Sequence, residues 1–187
     1  IVFPDFRRMS YKSKPLPLTF ACAATESKLF PSDSGNEIAL CGRSNSGKST
    51  LINALANQKK LAKTSNTPGR TQSINFFHLT NDEAKKIVDL PGFGYAKASK
   101  QDQNAWAKLI LSYLEKRAAL TDLILIMDMR HPFQNKDLEF LSLCNSLNLP
   151  IHLVLTKADK LKNKETQNTL KAVSYTHLTL PTKRKVE

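Results

Sequence analysis

The 187-residue sequence predicts an α/β fold of three layers, a mostly parallel sheet with one antiparallel strand and helices on both faces. Three observations predict it. From Glu37 onward, strand-like and helix-like segments alternate. The runs "DLILIMDM" and "PIHLVLTK" are almost continuously apolar, as suits strands buried on both faces. Two further strand patterns, "SINFFHL" and "KKIVDL", are joined by the turn-like "TNDEA", which is too short for a crossover, so this pair is antiparallel.

The elements follow in order. The segment before Pro31 is rich in Pro and Lys and weakly periodic, and reads as an irregular N-terminal arm over 1–30. Its first eight residues precede Met9 and read as non-native upstream sequence. "EIALCG" is a short apolar strand running into a Gly-rich turn. "KSTLINALAN" is a helix with Leu51, Ile52 and Leu55 on one side. "QDQNAWAKLILSYLEKR" is an amphipathic helix, with Trp106, Leu109, Ile110 and Leu114 at helical spacing. "NKDLEFLSLCNSLN" is a helix between the two buried strands, and "ETQNTLKAV" is the last one. The folded unit is thus expected over 31–173. "SYTHLTLPTKRKVE" continues neither that helix nor a strand–helix unit, and reads as a non-native tail over 174–187.

Composition narrows the class. Hydrophobic content of 41% and charged content of 24% are ordinary for a soluble globular protein. No apolar run approaches the roughly 18–20 residues of a membrane span, and the start lacks the shape of a signal peptide. The expectation is a cytoplasmic protein without a membrane partner. Cys22, Cys41 and Cys144 are odd in number and lack CxxC spacing, which suits reduced thiols. His78, His131, His152 and His177 show no metal-ligand spacing. A net charge of +12, from 28 basic and 16 acidic side chains, points to a polyanionic partner, RNA or an anionic membrane surface, and charge alone does not say which.

The chemistry lies in three motifs at expected strand ends. "GRSNSGKS", Gly42, Arg43, Ser44, Asn45, Ser46, Gly47, Lys48 and Ser49, with Thr50 following, fits G-x-x-x-x-G-K-[ST]. Its glycines let backbone N–H groups curl around phosphate oxygens, and the helix N-terminus adds partial positive charge. Lys48 is expected to reach the β- and γ-phosphates, and Ser49 to offer its hydroxyl to Mg²⁺. "DLPG", Asp89, Leu90, Pro91 and Gly92, closes a strand. Asp89 can hold Mg²⁺ through water, and the Gly92 N–H can touch a γ-phosphate. "TKAD", Thr156, Lys157, Ala158 and Asp159, follows the strand "IHLVL". The Asp159 carboxylate can accept from N1–H and the 2-amino group of guanine. Adenine offers neither donor, so GTP and GDP are favoured over adenine nucleotides. The aliphatic stem of Lys157 would lie along the base.

In this order the motifs resemble those of the translation-factor-related P-loop GTPases. "TSNTPGRTQSINFF" followed by "DLPGFGYAKA", with "GRSNSGKST" and "TKADKL", resembles the EngB family of bacterial GTP-binding proteins. The likeness runs from about Pro31 to Val173. It implies the P-loop GTPase three-layer fold and a monomeric cytoplasmic enzyme that binds and slowly hydrolyses GTP with Mg²⁺. It also implies a switch in assembly of the large ribosomal subunit, through rRNA and ribosomal proteins, with a role in cell division and septation. By the same resemblance Thr71, beside Gly69 and Arg70 in "PGRTQ", is the switch threonine that ligates Mg²⁺ and serves catalysis with Lys48. Thr67 is its rival. Asn45 matches the asparagine with which some related GTPases hold K⁺ beside the phosphates. Two departures stand out. The family's final strand, serine-containing loop and last helix are not legible here, and Phe93 stands where many GTPases carry a water-orienting Gln. Phe cannot orient water by hydrogen bonding, so intrinsic hydrolysis is expected to be slow. A nucleotide-sensing scaffold with negligible turnover is the alternative. A P-loop kinase is disfavoured because "TKAD" has no role in one.

Overall fold

The computed structural model describes residues 14–62, 73–93 and 100–179. Along them run β1 (Leu18–Ala24), β2 (Asn36–Cys41), α1 (Lys48–Ala56), β3 (Ile74–Leu79), β4 (Asp82–Asp89) and α2 (Lys100–Lys116). Then follow β5 (Leu120–Asp128), α3 (Asn135–Ser146), β6 (Ile151–Thr156) and α4 (Asn163–Thr179), with 3₁₀ turns at Ser27–Leu29 and Ala158–Lys160. The six strands form one sheet in the order β1-β3-β4-β2-β5-β6. β3 is antiparallel to both of its neighbours, and the pairs β4–β2, β2–β5 and β5–β6 are parallel. This is the one antiparallel strand that the short β3–β4 connection predicts. The turn itself is tighter than "TNDEA", because β4 begins at Asp82.

Strand alternation sorts the core onto two faces. On β5, Leu123, Leu125 and Met127 face one side, where they meet Ile110 and Tyr113 of α2 and Phe140 of α3. Ile124 and Ile126 face the other side, with Ile52 and Ala56 of α1. Each fully buried Leu, Ile or Met among them is worth about 1.5–3 kcal/mol of apolar burial, and the three layers follow from satisfying both faces. On α1 the buried stripe is Ile52 and Ala56, one turn apart. Leu55, expected on that face, is exposed.

Two expectations are corrected. Part of the segment read as an irregular arm is β1, the edge strand, paired from Leu18↔Leu79 to Ala24↔Ile74. Its pattern is hidden because only its two ends are fully buried, a bulge interrupts it between Phe20 and Cys22, and Phe20 is 47% exposed. Pro15 and Pro17 sit just before it, and the Pro17 carbonyl accepts from the Thr80 N–H at 2.7 Å. The second correction is α4, which runs past Val173 to Thr179. Residues 174–179 contain no Gly or Pro, so extending an existing helix needs no new nucleation.

At the end of the sheet away from the motifs, a buried ionic cluster ties α2 to β2. The Glu37 carboxylate is fully buried and accepts from Arg117 Nη2 at 2.6 Å, Arg117 Nε at 3.0 Å and the Tyr113 hydroxyl at 3.0 Å. Arg117 also donates to the carbonyls of Pro31 and Ser32 at 2.8 and 3.0 Å and lies over the ring of Phe76. Asp33 accepts from the N–H groups of Ala119 and Ala118, and the first of these contributes most to holding its carboxyl below the usual range. One guanidinium thus closes the chain entering β2 onto the chain leaving α2.

Candidate functional site

In a parallel sheet, ligands sit beyond the carboxyl ends of the strands. Here the Gly-rich loop follows β2, "DLPG" follows β4 and "TKAD" follows β6, all at that one end. Gly42 has φ 147°, and a Cβ there would run into the Ile126 carbonyl of β5. The loop turns back to α1, which begins at Lys48. The Lys48 ammonium lies under the loop, donating to the carbonyls of Gly42 at 3.1 Å and Arg43 at 3.3 Å, and the residue is only 8% exposed. Burial pushes its pKa down, and the nearby Asp89 carboxylate works against that. Ser44, Asn45 and Thr50 are exposed around the loop.

Asp89 ends β4 facing α1. Ser49 Oγ lies 3.5 Å from Asp89 Oδ2, while Asp89 Oδ1 is buried without a partner among the described residues. Burial pushes the Asp89 carboxyl up to about 6, with Lys48 and Ser49 pulling the other way. A hydroxyl and a buried carboxylate with an unused oxygen form a hard-oxygen donor set that fits Mg²⁺. Bound there, the ion would neutralise charge on phosphate oxygens.

The rest of "DLPG" is stitched to the Gly-rich loop. Leu90 is buried and donates its N–H to the Leu40 carbonyl at 2.9 Å. The Pro91 carbonyl accepts from Trp106 Nε1 at 3.2 Å. Phe93 N donates to the Gly42 carbonyl at 3.3 Å, and Ser44 N donates to the Phe93 carbonyl at 3.1 Å. Gly92 sits so close that a Cβ would lie 2.9 Å from Ser44 N and 3.1 Å from Lys48 Nζ. The Phe93 ring points away, stacked on Phe140 at 5.1 Å with Trp106 edge-on at 6.3 Å.

"TKAD" joins the loop from the other side. Thr156 Oγ1 lies 2.6 Å from the Ser46 carbonyl and 3.1 Å from that of Met127. Lys157 has φ 61°, and its ammonium donates to the Asn45 carbonyl at 2.7 Å. Ala158 and Asp159 lie in the following 3₁₀ turn, with the Asp159 side chain 72% exposed and one oxygen 3.2 Å from Lys160 Nζ. Gly69, Arg70, Thr71 and Thr67 fall outside the described residues.

The family described as "50S ribosome-binding GTPase" matches residues 37–157. The chain is 47% identical over 152 residues to the "Probable GTP-binding protein EngB" of Hydrogenovibrio crunogenus, covering 81% of this chain and 71% of that protein. This chain belongs to the EngB family.

The Haemophilus influenzae EngB is likewise 47% identical, over 82% of this chain and 74% of its own length. A crystal structure of a probable GTP-binding protein engB superposes with a TM-score of 0.57 at 30% identity, covering 73% of this chain and 79% of that one. Aquifex aeolicus Era bound to GDP·AlF4⁻ shares the fold, with a TM-score of 0.57 at 23% identity over 79% of this chain and 49% of Era. As an EngB-family GTPase, the chain carries its three motifs on the P-loop GTPase fold that the sequence predicts. Among the described residues no helix is long and apolar enough to cross a membrane.

Sequence reading missed the polar side chains that brace the EngB site. Arg43, expected among the phosphate-binding residues, presents only its backbone to the loop. Its guanidinium donates to the His131 carbonyl at 2.6 Å and pairs with buried Asp137 at 3.2 Å. Asp137 also accepts from Gln134 N, the cap residue just before α3. Asp128 and Arg130 lie beside Lys157 and had no assigned role. The available signal was "DMR", a charged pair closing an otherwise apolar strand.

Proposed function

We propose that this EngB-family chain is a cytoplasmic GTP-driven switch in assembly of the large ribosomal subunit, with a further part in cell division and septation. The observation that carries the reading is the pair of backbone hydrogen bonds joining Gly42 and Ser44 to Phe93. Gly92 packs against Lys48 Nζ, which meets the γ-phosphate in this reading. A third phosphate arriving at Lys48 must therefore move Gly92, and with it the segment that Phe93 and Pro91 anchor to α2 and α3. Ser49 and Asp89 hold Mg²⁺ in this reading, joined by Thr71. The net charge of +12 supports a ribosomal RNA partner.

Hydrolysis by the chain alone is slow, because the Phe93 ring is buried under Phe140 and offers nothing to a water. The missing stabilisation comes from the ribosomal partner, with K⁺ beside Asn45 as an additional source. The test is single-turnover hydrolysis with and without large subunits, each run in potassium and in sodium at equal ionic strength. A rate raised by subunits supports the switch, and a rate raised by potassium supports the ion. No acceleration by either would leave a scaffold with negligible turnover.

Asp159 supplies base choice in this reading. Asp159→Asn replaces one acceptor with a donor, so preference is expected to move from GTP to xanthosine triphosphate, whose C2 carbonyl accepts. Competition between the two nucleotides measures it. Retained preference for GTP would remove Asp159 as the base reader.

A further inference from the structure

Lys157 has four rotatable side-chain bonds and a backbone at φ 61°, yet its ammonium is tethered twice. One tether is the Asn45 carbonyl at 2.7 Å, and the other is Asp128 Oδ2 at 2.9 Å. Asp128 ends β5, directly across from Thr156 in the β5–β6 register, and is 8% exposed. Its remaining acceptor capacity goes to Arg130, through Nε to Oδ1 at 2.9 Å, Nη2 to Oδ2 at 2.6 Å and the backbone N–H to Oδ1 at 3.0 Å. The Arg130 guanidinium, with Lys157 adding to it, holds this carboxyl well below the usual carboxylate range.

From these contacts we infer that Asp128 is a positioning residue for the guanine subsite, fixing the Lys157 ammonium so that the aliphatic stem lies ready along the base. The inference rests on the reading of "TKAD" as the base-reading segment. A free lysine carries rotamer entropy that binding would have to freeze out. The Asn45 carbonyl alone is a neutral partner on an exposed loop residue. Asp128 adds a charge held at the end of a central strand and oriented by a bidentate guanidinium. Arg130 thus acts through Asp128, and Asp128 through Lys157.

The effect has a signature that a general loss of structure lacks. The base subsite is common to GDP and GTP, so Asp128→Asn is expected to weaken both by about the same factor, roughly tenfold for a lost charge-assisted hydrogen bond. Because Asp128 acts through the ammonium, the same substitution in a Lys157→Met background is expected to cost less than about twofold. Affinities come from calorimetric titration of the full chain with GDP and GTP, with thermal unfolding as the folding control. If Asp128→Asn does not fold, Asp128→Ser is carried through the same cycle. An equal loss in both backgrounds, or parental affinity in Asp128→Asn while Lys157→Met is weakened, overturns the inference alone. Parental affinity in Lys157→Ala overturns the base-reading role of Lys157 itself, and the inference falls with it.

Discussion

Lys48→Ala is expected to weaken GTP and GDP binding by on the order of 100-fold or more, about 3 kcal/mol, because it removes charge-assisted hydrogen bonds to phosphate. The Lys48 ammonium also has work within the protein. It is buried beneath the loop, held by the carbonyls of Gly42 and Arg43, and it lowers the cost of ionising Asp89 nearby. Removing it leaves the two carbonyls without their donor and pushes the Asp89 carboxyl further up. The metal donor set is then harder to ionise as well. Both nucleotides lose affinity, GTP more than GDP, since in the proposed reading the ammonium meets the γ-phosphate too. Titration with each nucleotide at fixed Mg²⁺ measures the difference. Affinities within a factor of three of the parent would mean that this loop is not the phosphate site.

Glu37→Ala is expected to cost about 3–5 kcal/mol of stability, the usual penalty for stripping one partner from a buried ion pair. Against a total of about 5–15 kcal/mol for a natural domain, this can unfold a large share of the molecules. The Arg117 side chain is 5% exposed, and without Glu37 its remaining carboxylate partner is the partly exposed Asp33, 3.5 Å from Nε. It is also pinned by the carbonyls of Pro31 and Ser32 and by the Phe76 ring, which prevents it from swinging out. Glu37→Gln keeps the shape and one acceptor, and is expected to lose less. Urea unfolding gives the ordering. The cluster lies at the opposite end of β2 from the phosphate loop, so the molecules of Glu37→Ala that remain folded should bind GDP as the parent does. A loss below about 1 kcal/mol would show that Asp33 and solvent compensate the Arg117 charge without Glu37.

Much of this fold was legible because its signals are local. The apolar runs of β5 and β6, the short β3–β4 turn and the helical spacing in α2 each sit within a dozen residues of sequence. The Gly-rich loop was legible for the same reason, since a tight turn at Gly42 and a helix starting at Lys48 impose residue types at fixed offsets. What escaped depends on the order of strands. Asp128 meets Lys157 only because β5 lies beside β6, and Arg43 meets Asp137 only because β2 lies beside β5. Glu37 looked like an ordinary polar start to a strand until Arg117, far along the chain, closed over it. β1 escaped for a different reason. An edge strand with a bulge and two prolines at its entry shows little alternation, and only pairing with β3 makes it a strand.

The placement of Trp106 has an optical consequence. It is the single tryptophan of the sequence, its indole N–H donates to the Pro91 carbonyl, and its ring meets the edge of Phe93. The sole indole chromophore is therefore bonded to the very segment that moves in the proposed switch. Its emission reports on "DLPG" without an attached dye, free of background from any second indole. The aromatic packing that buries the Phe93 ring thus also sets a fluorescent gauge beside "DLPG", and if the proposed switch operates its emission differs between the GDP and GTP states.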